Sequence, residues 1–437
     1  MYLRGSKWSM NKRRVRPNWF RIILLALMVT GAAYVNKYIV PTQPKYGIPS
    51  PTPTRPPEAY ITEAEDYFKQ GKLLQSIESY RQAIIVQPAN AATHIALARV
   101  LVWNGQYEEA QTSAEDALLL DGNNALAYAV LAWAQDFQGD YLGAQDNIKK
   151  ALERDNQNAL IYAYYTEILV DSNSSGAGVV GAIEAASENS QKAIALDPNL
   201  IETRRARGYL LEATGNYQEA ILEYQAAIAI NDKIADLHLS LGNNFRNVEI
   251  YDQAVKEFTT ANALNPEDPT PDLYLSRTYA TIGEFGKARQ YAGSAVDNDP
   301  TDANLHGNFG VMLYSDSYWN DAVVELAYVV KGGITKDGKQ VEALELTPGS
   351  PRIAEYYYTY GLVLARLNQC GEALQVAQLI LSRIPADENA VAKAGEINQL
   401  CQQKLDSPPA STEAAPETTD IPVTDEPVME ETATPTP

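Results

Sequence analysis

A fixed spacing of 34 residues governs most of this chain. Gly105 and Gly139 stand 34 residues apart, as do Ala110 and Ala144, and Ala117 and Ala151. Further on, the same interval separates Gly208 from Gly242, Ala220 from Ala254, Ala227 from Ala261 and Ala254 from Ala288. Self-similarity at such a period is the sequence mark of repeat architectures and takes precedence over other fold arguments. Each unit holds two stretches of about 13 residues with apolar side chains at helical spacing. One helix pair cannot bury its own apolar face, so neighbouring pairs must stack into a solenoid. The 437 residues therefore read as one array, not as the about two or three globules that length alone suggests.

The positions within each unit resemble the tetratricopeptide repeat. That family places a large residue at position 4, a small one at 8, Tyr or Phe at 11, Ala at 20 and 27, an aromatic at 24 and Pro at 32. Residues 201–234 show Gly208, Leu211, Gly215, Tyr217, Ala220, Tyr224 and Ala227; residues 235–268 show Leu241, Gly242, Phe245, Tyr251, Ala254, Phe258, Ala261 and Pro266. Nine such units start near residues 57, 91, 125, 159, 201, 235, 269, 303 and 354, covering 57–387. The resemblance implies an all-α, right-handed superhelical solenoid. Small residues at 8, 20 and 27 let helices approach closely. Glycine at position 15 permits the left-handed backbone that ends the first helix. Proline at 32, as in Pro88, Pro198, Pro266, Pro300 and Pro385, stops the second.

Two places depart from the period. The fourth unit is lengthened by a loop or helix extension near 172–181, and an insertion near 331–350 precedes the ninth. In the second, Asp337-Gly338 between short β-favouring segments signals a hairpin. It is either a harmless surface loop or a projection that grips a partner. Residues 388–404 continue the pattern of a first helix and then stop, as a capping helix would. That helix would run antiparallel to the one before it, bringing Cys370 beside Cys401. The two form either a disulfide in an oxidising compartment or two separate thiols.

The ends speak about place. Residues 1–21 carry seven Lys and Arg and no acid, and an apolar run follows from Ile22 to Val35, extendable to Val40. Basic residues on the N-terminal side would hold that end in the cytoplasm, with 22–40 as a transmembrane signal anchor. A cleaved signal with its apolar region at Ile22–Val29, before the small residues up to Ala33, stays open and would release a secreted protein. No Cys lies near enough for a lipid anchor. Residues 41–59 contain seven prolines and suit an extended stalk. Residues 405–437 hold eight acids and no base, too little apolar surface to offset chain entropy, and are expected to be disordered.

The chemistry is sparse. His94, His238 and His306 all fall at position 4 of separate repeats, where packing residues belong, so they cannot converge on one metal. No phosphate-binding loop, dinucleotide fingerprint, metalloprotease helix or serine elbow occurs, so neither an enzyme nor a cofactor is expected. A net charge of −20 argues against a nucleic-acid surface.

In the tetratricopeptide family the concave face is lined by first-helix positions 2, 5, 6, 9, 12 and 13. Carried onto this chain, those positions give Arg99, Trp103, Trp133, Phe137 and Tyr164, then Arg205, Tyr209, Asn243, Arg246, Tyr274, Arg277, Asn308 and Tyr314. An aromatic half would precede one with Arg and Asn. Inward arginines would hold carboxylates of a partner, or pair with acids of the chain itself. The carboxylate clamp of some family members, built from Lys and Asn, is only loosely matched by Arg205, Asn243 and Arg277. The resemblance implies a non-catalytic, protein-binding scaffold with a partner peptide or helix in the groove, and the N-terminal segment makes it a bacterial-type, membrane-anchored one with its array outside the cytoplasm. The alternative is an envelope protein that stacks polysaccharide on Trp103, Trp133 and Phe137.

Overall fold

The computed structural model describes residues 18–35, 37, 55–178 and 180–406. The acidic tail beyond 406, most of the basic block and the proline stretch up to 54 lie outside them. The chain divides into two units, Met1–Pro56 and Pro57–Pro437. In the first, α1 (Trp19–Tyr34) has 16 residues and no buried side chain. At 1.5 Å per residue it is ~24 Å long, short of the ~30 Å hydrocarbon core of a bilayer. Among the described residues no helix is long and apolar enough to cross a membrane. The span expected over 22–40 is thus described only to residue 35 and at residue 37.

The second unit is built of helix pairs. Repeat 1 is α2 (Pro57–Lys69) with α3 (Leu73–Val86), and repeat 2 is α4 (Ala91–Trp103) with α5 (Tyr107–Leu120). Then come α6 (Ala125–Phe137) with α7 (Tyr141–Arg154), and the longer α8 (Ala159–Ser174) with α9 (Ala182–Leu196). Repeats 5 and 6 are α10 (Ile201–Ala213) with α11 (Tyr217–Ile230), and α12 (Ala235–Asn247) with α13 (Tyr251–Leu264). Repeats 7 and 8 are α14 (Pro269–Thr281) with α15 (Phe285–Asn298), and α16 (Ala303–Ser315) with α17 (Trp319–Lys331). A two-stranded hairpin follows, β1 (Gly333–Ile334) and β2 (Gln340–Val341), then α18 (Pro351–Arg366), α19 (Cys370–Arg383) and the capping α20 (Glu388–Asp406).

Local chemistry explains the punctuation. The residue before a first helix is often Asn or Asp, whose side chain accepts from the exposed helix N–H groups. Asn90 caps Ala92, Asn124 caps Ala127, Asn158 caps Leu160, Asp268 caps Thr270 and Asp302 caps Asn304, at 2.7–3.1 Å. Each first helix ends on a left-handed residue, glycine at 71, 105, 139, 215 and 283. Close packing then follows from small residues. A Cβ on Gly242 would sit 2.6 Å from the Phe258 ring, which is why α12 and α13 can touch there.

The hairpin pairs Gly333 with Val341 and Ile334 with Gln340, around a turn in which Gly338 has φ +77°. Downstream, the insertion lies against the array. Val341 and Leu346 are buried, Leu346 in the core that includes α17 and α18, and the Tyr357 hydroxyl donates to the Leu344 carbonyl at 2.7 Å. The insertion is therefore a strap held to the array at Val341, Leu344 and Leu346, with its hairpin tip and the residues between these points exposed. It also leads into a lengthened first helix: α18 begins at Pro351, three residues before the position that the repeat count assigns, while the left-handed Asn368 and the start of α19 keep that count. Cys370 and Cys401 are joined by a disulfide with Cα atoms 5.5 Å apart, tying α19 to α20 across a separation of 31 residues. Closing a loop of that size stabilises a fold by about 3–4 kcal/mol in the chain-entropy picture.

Candidate binding groove

The residues assigned to the concave face fall into two environments. In repeats 2–5 they pack on one another and pair with acids of the chain, with Trp133 and Tyr164 buried and Phe137 at the surface. The Arg205 guanidinium lies 5.2, 5.9 and 5.7 Å from the ring centroids of Trp103, Trp133 and Phe137. Its Nε donates to Asp236 at 2.9 Å, and its Nη1 lies 2.5 Å from Glu167. Glu167 also accepts from the Trp133 indole N–H at 2.8 Å. Trp133, 1% exposed, stacks on Tyr164 with centroids 4.3 Å apart. Arg99 pairs with Glu202, and the Tyr209 hydroxyl donates to Asp171. Burial opposes the charge on Arg205, but Glu167 and Asp236 overcome it and hold the guanidinium protonated well above its ordinary range. The aromatic half and the first arginines are thus one self-neutralised cluster.

Contacts between distant repeats enclose this cluster. The Asn231 amide donates to the Phe68 carbonyl at 3.4 Å, and Phe68 and Trp103 pack on the core of repeats 5–7. Repeat 1 therefore touches the junction of repeats 5 and 6. The space beside it, about 670 Å³ and open to solvent, is lined by Trp103, Tyr107, Phe137, Arg205 and Asp236 among others.

Repeats 6–9 differ. Arg246 lies 5.0 Å over the Tyr274 ring and donates to the Asn243 side-chain oxygen at 3.0 Å. Asn243 in turn donates to Glu212 at 2.7 Å, so an amide stands between Arg246 and the nearest acid on that side. Arg277 donates to the Asn308 side-chain oxygen at 3.4 Å, and Asn308 donates to Ser276 at 3.0 Å. Arg366 donates to the Tyr314 hydroxyl at 3.2 Å and lies 5.3 Å from the Trp319 ring. Arg246, Arg277 and Arg352 line one cavity of about 480 Å³ with Tyr251, Thr281 and Ser315. Glu355 also lines it and is taken by Arg352 at 2.5 Å. Burial, reinforced by repulsion from Arg277 and Arg352, lowers the Arg246 guanidinium from its ordinary value.

The contrast is sharp among the described residues. Arg81, Arg99, Arg204, Arg205, Arg207, Arg289, Arg352 and Arg383 each have a carboxylate within 4.0 Å, whereas Arg246, Arg277 and Arg366 have none. All three lie on first helices, α12, α14 and α18, in a chain of net charge −20, Arg246 and Arg277 in one cavity and Arg366 against Tyr314 and Trp319. Their arrangement can hold a carboxylate or another oxyanion through charge-assisted hydrogen bonds. Sequence reasoning named Arg246 and Arg277 but missed Arg352 and Arg366. Applying the same groove positions to the ninth repeat would have found Arg366. Arg352 lies in the extra residues that lengthen α18 ahead of the repeat, where no groove position falls.

The histidines pack as spacers. His238 and His306 reach Glu257 and Glu325 on the paired helix at 2.7 and 2.6 Å, and the carbonyls of Asp232 and Pro300 at 3.2 and 3.1 Å. His94 touches the Pro88 carbonyl at 3.2 Å.

Two family models match the chain, both described as tetratricopeptide repeat, over residues 67–134 and 206–234. A search of curated proteins finds no match. Among solved structures, a human IFIT1 dimer with PPP-AAAA is similar at 14% identity and a TM-score of 0.51, covering 80% of this chain and 83% of that one. A tetratricopeptide repeat protein from Parabacteroides merdae is 15% identical over 59% of this chain and 98% of its own, with a TM-score of 0.39. Pseudomonas aeruginosa pilF is 20% identical over 47% of this chain and 90% of its own, at 0.40. Such identities speak to fold alone. The chain carries tetratricopeptide repeats, which generally mediate protein–protein interaction.

Proposed function

We propose that this protein is a non-catalytic scaffold that holds an acidic segment of a partner protein in the groove of repeats 6–9. The observation that carries the reading is the row of Arg246, Arg277 and Arg366, three guanidiniums without a carboxylate among the described residues. Leaving like charges together on a mostly acidic chain costs stability unless a ligand supplies the counter-charge. Tyr274, Tyr314 and Trp319 beside them offer apolar surface for the same segment. Repeats 2–5 do not serve this role, because their inward arginines, Arg99 and Arg205, are already paired with Glu202, Glu167 and Asp236. Polysaccharide stacking on Trp103, Trp133 and Phe137 draws less support, since Trp133 is buried and Arg205 lies over the rings of Trp103 and Phe137.

The scaffold is anchored, in this reading, by residues 22–40, with the N-terminus cytoplasmic and the array outside. Its support is the basic block of residues 1–21 and the unburied apolar side chains of α1. Cross-linking in native cells, beside a variant carrying Arg246→Gln, Arg277→Gln and Arg366→Gln, tests the groove. A partner recovered with the wild type, lost with the variant and eluted by an acidic peptide supports it. An equal catch from both refutes it.

A further inference from the structure

One of the unpaired arginines, Arg366, lies close to where a strongly acidic stretch of the same chain departs. We propose that residues 407–437 occupy the groove of repeats 6–9 in cis and compete there with the partner. This rests on the groove reading above and adds to it a resident competitor.

Charge supplies the first argument. Residues 407–437 carry Glu413, Glu417, Asp420, Asp425, Glu426, Glu430 and Glu431 and no Lys or Arg. The rest of the array is acidic and repels such a segment. Among the described residues, the arginines of repeats 1–5 are mostly spent on acids of the chain, and Arg154, which is not, donates to the Lys150 carbonyl on a second helix. Arg246, Arg277 and Arg366 are the cations of the groove left to receive carboxylates.

Place and length supply the second. Lys404 donates to the Arg366 carbonyl at 2.8 Å, so the start of the segment lies at the C-terminal end of α18, where Arg366 projects. From Arg366 back to Arg352 is a run of helix ~21 Å long. A flexible chain of the length of 407–437 has a root-mean-square span of ~30 Å and an extended reach of ~100 Å. Glu413 thus falls within reach of Arg366, and Glu417 and Asp420 within reach of Arg277 and Arg352. The prolines of the segment, such as Pro408, Pro409 and Pro416, reduce the freedom lost on docking. The pairing is electrostatic and weakens with salt.

Tethering sets the strength. A linker of this length gives an effective concentration on the order of 1 mM. A tail that binds at about 100 μM when detached then weakens a competitor roughly tenfold.

The test uses the full chain in two forms, wild type and a neutral-tail variant. The variant carries Glu413→Gln, Glu417→Gln, Asp420→Asn, Asp425→Asn, Glu426→Gln, Glu430→Gln and Glu431→Gln. Two fluorescein-labelled probes are titrated: decaglutamate and a synthetic peptide of residues 409–432. The neutral-tail chain is expected to bind both at least tenfold more tightly than the wild type. Adding Arg246→Gln, Arg277→Gln and Arg366→Gln should abolish the binding while leaving the circular dichroism unchanged. Equal affinity of wild-type and neutral-tail chains overturns the proposal. Binding of decaglutamate without the tail peptide overturns it too, yet leaves the groove reading standing. Binding of neither probe removes both. A competition that appears only as protein concentration rises assigns the tail to a neighbouring copy and overturns the cis form.

Discussion

Asp136 is the most exposed liability of the array at the scale of single residues, although it is itself buried. Its side chain is 3% exposed, and neither carboxylate oxygen has a hydrogen-bond partner among the described residues. Burial, with Asp171 and Glu167 adding repulsion against the pull of Arg205, pushes its acid up to about 9. An unfolded aspartate titrates near ~4. The protonated form therefore contributes stability that is complete below about pH 4 and is lost as pH rises through about 9. Asp136→Asn mimics the neutral acid and can donate to Asp171. It is expected to raise unfolding free energy at pH 8 by about 1–3 kcal/mol and to flatten the decline, as read by urea titration at several pH values. An unchanged slope would contradict this assignment. Nothing in the sequence marks Asp136, because the acids that face it, Asp171 and Glu167, are supplied by the next repeat. Backbone turns are more legible, yet incompletely so. Glycine at position 15 signals the left-handed residue, but Glu249, Ser317 and Asn368 adopt φ of 62–66° at the same place, where the repeat frame imposes it.

Individual elements were readable where periodicity and caps agree. The first helices open after Asn90, Asn124, Asn158, Asp268 and Asp302, residues that announce a helix start in the sequence itself. The strap between α17 and α18 was only half legible. Asp337-Gly338 discloses the hairpin, whereas burial of Leu346 depends on surfaces that α17 and α18 form together. Leu346→Ala leaves a cavity between these helices and should cost about 2–4 kcal/mol, seen as a lower melting temperature. A change below about 0.5 kcal/mol would mean that the strap is a surface loop after all. The pairing of Cys370 with Cys401 follows from two helix ends that meet, a relation that residue spacing states but does not by itself decide.

Over the whole molecule, the arginines divide into those that hold the array and those free to hold something else. The groove positions correctly place Arg99, Arg205, Arg246 and Arg277 on first helices. They do not disclose which acids arrive from other repeats. Glu202 lies far along the chain from Arg99, and Phe68 meets Asn231 only because repeat 1 touches repeats 5 and 6. Removing Arg205 would leave Glu167 buried without its counter-charge. Arg205→Ala is therefore expected to cost about 3–5 kcal/mol of stability. Arg277→Gln should cost under about 1 kcal/mol, since no ion pair is broken. Thermal unfolding of the two variants checks the division, and equal losses would contradict it.

The central claim is that the row of Arg246, Arg277 and Arg366 receives acidic chain. Fluorescence anisotropy of labelled decaglutamate against the full-length neutral-tail chain tests it most directly, with and without Arg246→Gln, Arg277→Gln and Arg366→Gln. The expected result is at least a tenfold loss of affinity in the arginine variant, and a fall in wild-type-groove affinity as salt is raised. Equal affinity in both chains, insensitive to salt, would show that these arginines are ordinary solvated side chains and that the partner binds elsewhere.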